Sequence, residues 1–204
     1  MTDATRLTPL GVMVLALLRE DPMHPYEMIR LMRQRHDDRI IALTNGTVYH
    51  TVARLERLGL VSEVGVDREG NRPERTTYAL TDAGDAAITD WVRRELPRLG
   101  RPTEYRVALA EAHNLGREET LALLRRRLAA LEEALHVYRT GLAKARGGTV
   151  FEQYLVEADR EFALLTADRA WLAAFLDRLA HPGFVWGPHE TDDRYLAQRE
   201  AARQ

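Results

Sequence analysis

The sequence predicts a mainly α-helical chain with one small β-hairpin, split into a compact N-terminal half and a helical C-terminal half. Three observations carry this expectation. A short capped helix over residues 44–58 runs straight into two strand-like segments. Leucines recur at three- and four-residue steps across 121–142. Between the two lies an interruption containing Pro97, Gly100 and Pro102, which marks a boundary.

Residues 9–19 place Leu10, Val14, Leu17 and Leu18 on one helical face, a core helix. Asp21, Pro22 and Pro25 break it, and Pro25 suits the first turn of a second helix, where a missing N–H costs nothing. Tyr26, Ile29, Leu31 and Met32 are expected to face inward through about residue 35, and residues 37–43 link to a third helix. That third helix has Thr44 as its cap, Gly59 as its stop and Val48, Val52, Leu55 and Leu58 as its apolar stripe. Thr47, His50, Thr51, Arg54 and Arg57 project elsewhere, and they are donors and cations of the kind that meet base edges and phosphates. Residues 60–66 read as a strand, residues 67–74 as a polar turn with two arginines, and Thr76, Thr77, Tyr78 and Leu80 as the return strand. Thr81 caps a linker helix over 81–96, lined by Ala87, Ile88, Trp91, Val92 and Leu96. The order helix, helix, helix, strand, turn, strand is that of a winged helix-turn-helix, whose hairpin tip lies over the phosphate backbone.

The second half opens with a short helix over 104–113, with Tyr105, Ala108, Leu109 and Ala112 apolar. Leu121, Leu124, Leu128, Leu131, Leu135, Tyr138 and Leu142 then form an a/d seam of about three heptads. Arg125, Arg126, Arg127, Glu132 and Glu133 stand as solvated flanks. After a Gly147-Gly148 turn, Phe151, Leu155, Ala158, Phe162, Leu165, Leu172, Leu176 and Leu179 continue the rhythm to a stop at His181 and Pro182. Two seamed helices joined in this way make an antiparallel hairpin. It either packs on its own domain or is exchanged between two copies. The expected domains are 1–96, a winged helix-turn-helix with linker helix; 97–182, a helical dimerisation domain; and 183–204, a tail that forms a last helical turn at Tyr195, Leu196 and Ala197 or otherwise is an arm or frayed.

Composition bounds the function. The chain has 204 residues, 45% of them hydrophobic, which supports a real core, and no cysteine, which excludes disulfides and thiolate chemistry. No apolar run is long enough for a membrane span, and the first residues lack the order of a signal peptide, so the cytoplasm is the expected location. Net charge is −2 overall; residues 1–96 carry 13 basic and 15 acidic side chains, also −2. Any basic footprint is therefore local. His181, His189, Asp192 and Asp193 match no metal-ligand spacing, so neither metal nor cofactor is expected. No phosphate-cradling glycine loop, nucleophile elbow or His-Glu-x-x-His motif is present, which argues against an enzyme.

Four groups of residues share one further pattern. They are Leu7, Thr8, Pro9 and Leu10; His24, Pro25, Tyr26, Glu27 and Met28; Gly46, Thr47, Val48 and Tyr49 with Arg54, Leu55 and Glu56; and Gly70 through Gly84. In this order and spacing residues 7–84 resemble the PadR family of bacterial transcription regulators. One departure is Pro25, where the family usually has glycine between His24 and Tyr26. The resemblance implies a homodimer, an operator with dyad symmetry, repression relieved by a small molecule, and a helical C-terminal dimerisation domain.

On this reading the partners are double-stranded operator DNA, a second copy of the chain and a small aromatic effector. The candidate DNA-binding residues are Thr44, Asn45, Thr47, Tyr49, His50 and Arg54 on the helix, with Arg68, Asn71, Arg72 and Arg75 on the hairpin. Alternatives stay open at several of them. Tyr49 contacts phosphate, as the family implies, or covers the hydrophobic rim. His50 reads a base or is simply solvated. Arg72 and Arg75 grip phosphate, or Arg75 pairs with Glu63 across the hairpin. The candidate effector residues are Trp91, Tyr105 and Trp171, against the reading that a tryptophan at helical spacing is core. The candidate dimerisation residues are Leu121, Leu124, Leu128, Leu131, Leu135 and Tyr138, with Phe162, Leu165, Leu172, Leu176 and Leu179. The function expected is a sequence-specific, ligand-responsive repressor. The alternative is a dimeric winged-helix module that binds a protein or small molecule without DNA.

Overall fold

The structure is a computed structural model, and it describes residues 7–67, 75–187, 197 and 200–202. Helices α1 (Pro9–Glu20), α2 (Pro25–Gln34) and α3 (Asn45–Arg57) precede strands β1 (Val61–Asp67) and β2 (Arg75–Leu80). Then follow α4 (Asp82–Glu95), α5 (Pro102–Ala110), α6 (Arg117–Arg146) and α7 (Val156–Ala180). The N-terminal half is thus a winged helix-turn-helix, and the rest is helical.

Local chemistry sets the boundaries. The Thr8 hydroxyl oxygen accepts from the Gly11 N–H at 3.1 Å and starts α1. The Thr81 oxygen accepts from the Gly84 N–H at 3.1 Å and starts α4. Such caps satisfy donors that the first helical turn leaves open, each contributing about 1 kcal/mol. Helix α3 ends as predicted at Gly59, whose φ of +69° favours glycine. There the Gly59 N–H donates to the Glu56 carbonyl and the Leu60 N–H to the Leu55 carbonyl, which closes a Schellman turn. A second glycine is demanded by packing. A methyl group on Gly84 would collide with the Leu60 carbonyl, so α4 lies flush against the end of α3 only without one.

Helix α1 was expected to bury one face, yet Val12, Met13, Val14, Leu15, Leu17 and Leu18 are all buried. The reason is its position. It packs against α3, α4, α5 and β2, so different sides meet different partners. In α2 the inward face is Met28, Ile29, Leu31 and Met32, whereas Tyr26, expected inside, is 47% exposed. Its guanidinium neighbour Arg30 lies 6.0 Å from the ring centroid.

Strands β1 and β2 pair antiparallel, with Val61 opposite Leu80 and Asp67 opposite Arg75. A bulge lies between Glu63 and Gly65, and Val64 there is exposed. Glu63 lies opposite Tyr78 and Arg75 opposite Asp67, so the register does not set Arg75 and Glu63 directly across from each other. Met23 adds a short bridge to Tyr78 and ties the α1–α2 connection to the hairpin.

In the C-terminal half α6 and α7 pack along each other as the predicted hairpin. The turn is longer than a Gly-Gly corner, because a 3-10 turn over Glu152–Tyr154 intervenes. Phe151 was expected on the α7 seam but is 73% exposed. An arm was one of the readings of the tail, and its first residues fold back. The Trp186 indole N–H donates to the Leu115 carbonyl at 3.1 Å, and Phe184 packs against Phe175. Farther on, Ala202 is buried and the Ala201 carbonyl accepts from Arg30 at 2.8 Å. The predicted turn at Tyr195 and Leu196 lies outside the described residues. Among the described residues no helix is long and apolar enough to cross a membrane.

Candidate nucleic-acid interface

Helix α3 buries Val48, Val52 and Leu55 against α1 and α2 and leaves the opposite face open. That face begins at its N-terminus, where Thr44, Asn45, Gly46, Thr47, Tyr49 and His50 are all exposed. Helix N-termini carry partial positive charge, so this end suits a phosphate.

The three threonines are occupied locally. The Thr44 oxygen accepts from the Thr47 N–H at 3.2 Å, and the Thr47 oxygen accepts from the Thr44 N–H at 3.1 Å. This reciprocal pair is a capping box built with threonine in place of the usual glutamate. The Thr47 hydroxyl donates to the Thr44 carbonyl at 2.8 Å, and the Thr51 hydroxyl to the Thr47 carbonyl at 2.7 Å. Thr44 and Thr47 therefore position the helix end rather than offer idle hydroxyls.

The remaining side chains point outward. Tyr49 is 44% exposed, and its ring meets His24 edge-on at 6.1 Å. His50 and Arg57 are exposed and Arg54 is partly so. Arg68, Asn71 and Arg72 lie outside the described residues, as does the side chain of Arg75, whose backbone pairs with Asp67. At the root of the hairpin, burial and the nearby carboxylates of Glu56 and Glu63 push the Tyr78 phenol above its ordinary range.

Sequence reasoning missed Arg33, on the exposed side of the last turn of α2. Its guanidinium donates to the Asn45 side-chain oxygen at 3.2 Å. The two residues come together only because the α2–α3 connection folds back, through a left-handed His36 and a 3-10 turn over Asp37–Arg39.

The candidate effector residues do not share one place. Trp91 is 2% exposed, and its indole N–H donates to the Leu7 carbonyl at 3.2 Å, as a core residue's would. A cleft of about 250 Å³ lies beside it, bounded by Leu58, Ala87 and Arg94. Trp171 stacks on Phe175 with centroids 5.3 Å apart and is 44% exposed. Tyr105 is buried under Arg127, whose guanidinium carbon sits 3.3 Å from the ring centroid. Burial pushes the Tyr105 phenol up to about 12, partly opposed by Arg127. A separate cavity of about 130 Å³ lies between α1, α5 and the Asp37–Arg39 turn, with Leu17, Val107 and Glu111 in its wall. Burial raises the Glu111 carboxyl above its ordinary range, with His113 and Arg19 opposing.

Arg127 was expected to be a solvated flank and is instead buried. It donates to the Arg98 carbonyl and to Asp168 at 3.0 Å, so it joins the end of α4, α5, α6 and α7 at one point. Nearby, Glu95 is 1% exposed and held by Arg94 at 2.8 Å and Arg101 at 3.1 Å. Burial pushes its carboxyl up, but the hydrogen bond from Arg94 and the charges of Arg101, Arg98 and Arg94 outweigh it, and the carboxyl is held below its usual range.

The candidate dimerisation residues are largely covered by their own chain. Leu121, Leu124, Leu131, Leu135, Leu172, Leu176 and Leu179 are buried, which leaves Leu128, Tyr138, Phe162 and Leu165 partly open. The large exposed apolar residues near the hairpin turn are others: Val137 at 60%, Phe151 at 73%, Tyr154 at 71% and Val156 at 62%. An apolar groove of about 320 Å³ runs among Val137, Leu142 and Leu155 there. Among the described residues no cluster of three or more metal-capable side chains occurs.

The chain is similar to Bacillus subtilis PadR crystallised with operator DNA, at 20% identity and a TM-score of 0.39 over 83% of this chain and 98% of that one. It is similar also to the same protein with p-coumaric acid, at 18% identity and a TM-score of 0.38 over 85% and 100%. A PadR family regulator from Clostridium difficile R20291 matches at 20% identity and a TM-score of 0.35, over 41% and 82%. At these scores the superpositions are loose. No curated protein matches the chain. The family model for the transcriptional regulator PadR-like family matches residues 14–90, from the middle of α1 through most of α4. Over those residues the chain is similar to the transcriptional regulator PadR-like family.

Proposed function

We propose that the chain is a sequence-specific DNA-binding regulator that acts as a homodimeric repressor on a palindromic operator in the cytoplasm. The observation that carries this reading is the exposed, locally capped N-terminal face of α3 beside the hairpin. Two such helices enter successive major grooves about 34 Å apart, and Tyr49, His50, Arg54 and the hairpin arginines contact bases and phosphates. The near-neutral winged half makes one copy a weak binder, so pairing supplies the affinity.

The second copy is held by the C-terminal hairpin. The exposed Val137, Phe151, Tyr154 and Val156 support this, because contiguous exposed apolar surface marks an interaction site. Tyr138, Phe162 and Leu165 on the same two helices are partly open as well. An effector shifts the balance between two spacings of the wings by its differential affinity for them. The cavity between α1, α5 and the Asp37–Arg39 turn suits that role, since it adjoins the segment leading to α3. The role is binding, not catalysis.

Selection from a randomised duplex library followed by footprinting tests the function. The expected result is an enriched palindrome with two protected half-sites one helical turn apart. A protein that enriches no sequence refutes it.

A further inference from the structure

The cavity between α1, α5 and the Asp37–Arg39 turn has two kinds of wall. Leu17, Ile40 and Val107 make an apolar side, and Glu20, Arg35, Asp37 and Glu111 make a charged one. Two of those four charges cancel, because the Arg35 guanidinium donates to both Glu20 oxygens, at 2.8 and 3.0 Å. The other two are carboxylates with no such partner. Among the described residues no hydrogen bond or ion pair reaches the Asp37 carboxylate, and Arg35 and Arg39 act on it only from farther off. One Glu111 oxygen accepts from the Asn114 amide at 3.0 Å, a neutral donor. Arg19 acts on Glu111 too, but its guanidinium is bonded to Asp85 at 2.6 Å. Burial raises both carboxyls above their ordinary range, as happens where charge is dehydrated more than it is compensated. A cation that enters beside such groups stabilises their ionised form. The cavity measures about 130 Å³, several times what one water needs. Among the described residues no three metal-capable side chains cluster, so its walls suit a small molecule better than a bare metal ion.

We propose that this cavity binds a small organic cation, with its ammonium group between Asp37 and Glu111 and its apolar body against Leu17, Ile40 and Val107. An ammonium carries three donors and no acceptor, which matches two carboxylates that lack a cationic partner. The proposal rests on the effector role given to this cavity above and names the chemistry of the ligand. Asp37 lies in the turn that leads to α3, and Glu111 follows the last residue of α5. A cation held by both ties the DNA-reading half to the C-terminal half. Such a ligand acts on DNA binding by its differential affinity for the two arrangements of those halves.

The probes are cyclohexylamine, cyclohexanol and cyclohexanecarboxylate, which share one apolar body and differ in charge. Their binding near neutral pH is read by NMR shift titration of the parent, Asp37→Asn, Glu111→Gln and the double variant, each first checked for a cooperative thermal transition. Both substitutions remove a dehydrated charge and keep the shape of the side chain, so the fold should persist. The parent is expected to bind the amine about tenfold more tightly than the alcohol, the equivalent of one pKa unit of charge compensation, and to exclude the carboxylate. Each single variant should lose part of that preference, and the double variant should bind amine and alcohol alike. An alcohol that binds the parent as tightly as the amine would mean that protons, not a cation, satisfy the carboxyls, and would overturn the proposal. A double variant that keeps the preference, or a parent that does not bind the amine, would overturn it as well. Affinity for a selected duplex, measured with and without the amine, separates ligand class from regulation. It should change in the parent and not in the double variant. Amine binding with unchanged duplex affinity would uphold the ligand class and remove the effector role. A parent that enriches an operator yet binds no amine would refute the ligand class alone and leave the DNA-reading function standing.

Discussion

The winged half and the tip of the α6–α7 hairpin spend their apolar residues in opposite ways. In the winged half nearly every large aliphatic side chain lies inside, around a central α1, and the open surface of α3 is polar. At the hairpin tip two helices contact mainly each other, and Val137, Phe151, Tyr154 and Val156 stay in water. A two-helix hairpin has too little interior to hide them. The contrast teaches that the buried leucine seam and the exposed apolar residues of the hairpin tip are largely different sets. The seam holds the hairpin together, and most residues off it are left exposed.

Breaking this contrast gives the largest expected effect. Leu124 is fully buried, so Leu124→Ala should destabilise the chain by about 2–5 kcal/mol, read from urea unfolding. The pair Phe151→Ser and Tyr154→Ser should leave unfolding of the isolated chain almost unchanged and weaken dimerisation, read by sedimentation. Equal loss of stability in both variants would erase the distinction.

The junction sharpens it next. Arg127 is nearly dry, whereas Asp168 is 30% exposed. Asp168→Ala strands a buried cation, and Arg127→Met leaves a carboxylate that reaches water. The first should cost about 2 kcal/mol or more and the second distinctly less, in thermal or urea unfolding. The reverse order would mean that Arg127 is held by its ring contact with Tyr105 and its bond to Arg98, not by the ion pair.

Two carboxylates should respond to pH with opposite sign. The folded pKa of Glu95 lies below its unfolded value, so its contribution is present above about pH 4.5 and is lost as pH falls through the folded pKa. The folded pKa of Glu111 is raised, so its penalty applies at neutral pH and is relieved as pH falls toward and below that folded pKa. Glu95→Gln should therefore lower stability at pH 7 and flatten the acid limb. Glu111→Gln should hold or raise stability at pH 7. The same sign for both would contradict the assigned environments. The smallest effect belongs to the exposed Arg93–Glu119 pair at 2.6 Å. Glu119→Gln should change stability by less than about 1 kcal/mol.

Much of this was legible in the sequence because it is local. The caps at Thr44 and Thr81, the stop at Gly59 and the α6–α7 rhythm each depend on residues a few positions apart. What the sequence hid depends on distant contacts. Arg127 reads as one of three arginines on a solvated flank, and its burial needs Tyr105 and Asp168 from other helices. Tyr26 follows the apolar spacing of α2, yet α3 packs on the helix and leaves its ring 47% exposed. Arg33 carries no signal of its own, because its meeting with Asn45 is made by the turn between α2 and α3. The alternative that Arg75 stands opposite Glu63 was not decidable from the sequence, since register is set along the whole hairpin, including its bulge, and it places Arg75 opposite Asp67.

The central claim is that the open face of α3 and the hairpin beside it hold duplex DNA. The most direct measurement is the affinity for a selected duplex across a salt series, for the parent and for Arg54→Ala combined with Arg72→Ala. The account predicts that log affinity falls linearly with log salt, and that the double variant binds more weakly with a slope shallower by about 4, two contacts from each of two copies. A parent affinity that ignores salt, or a double variant that is folded and binds with the parent's affinity and slope, would contradict it.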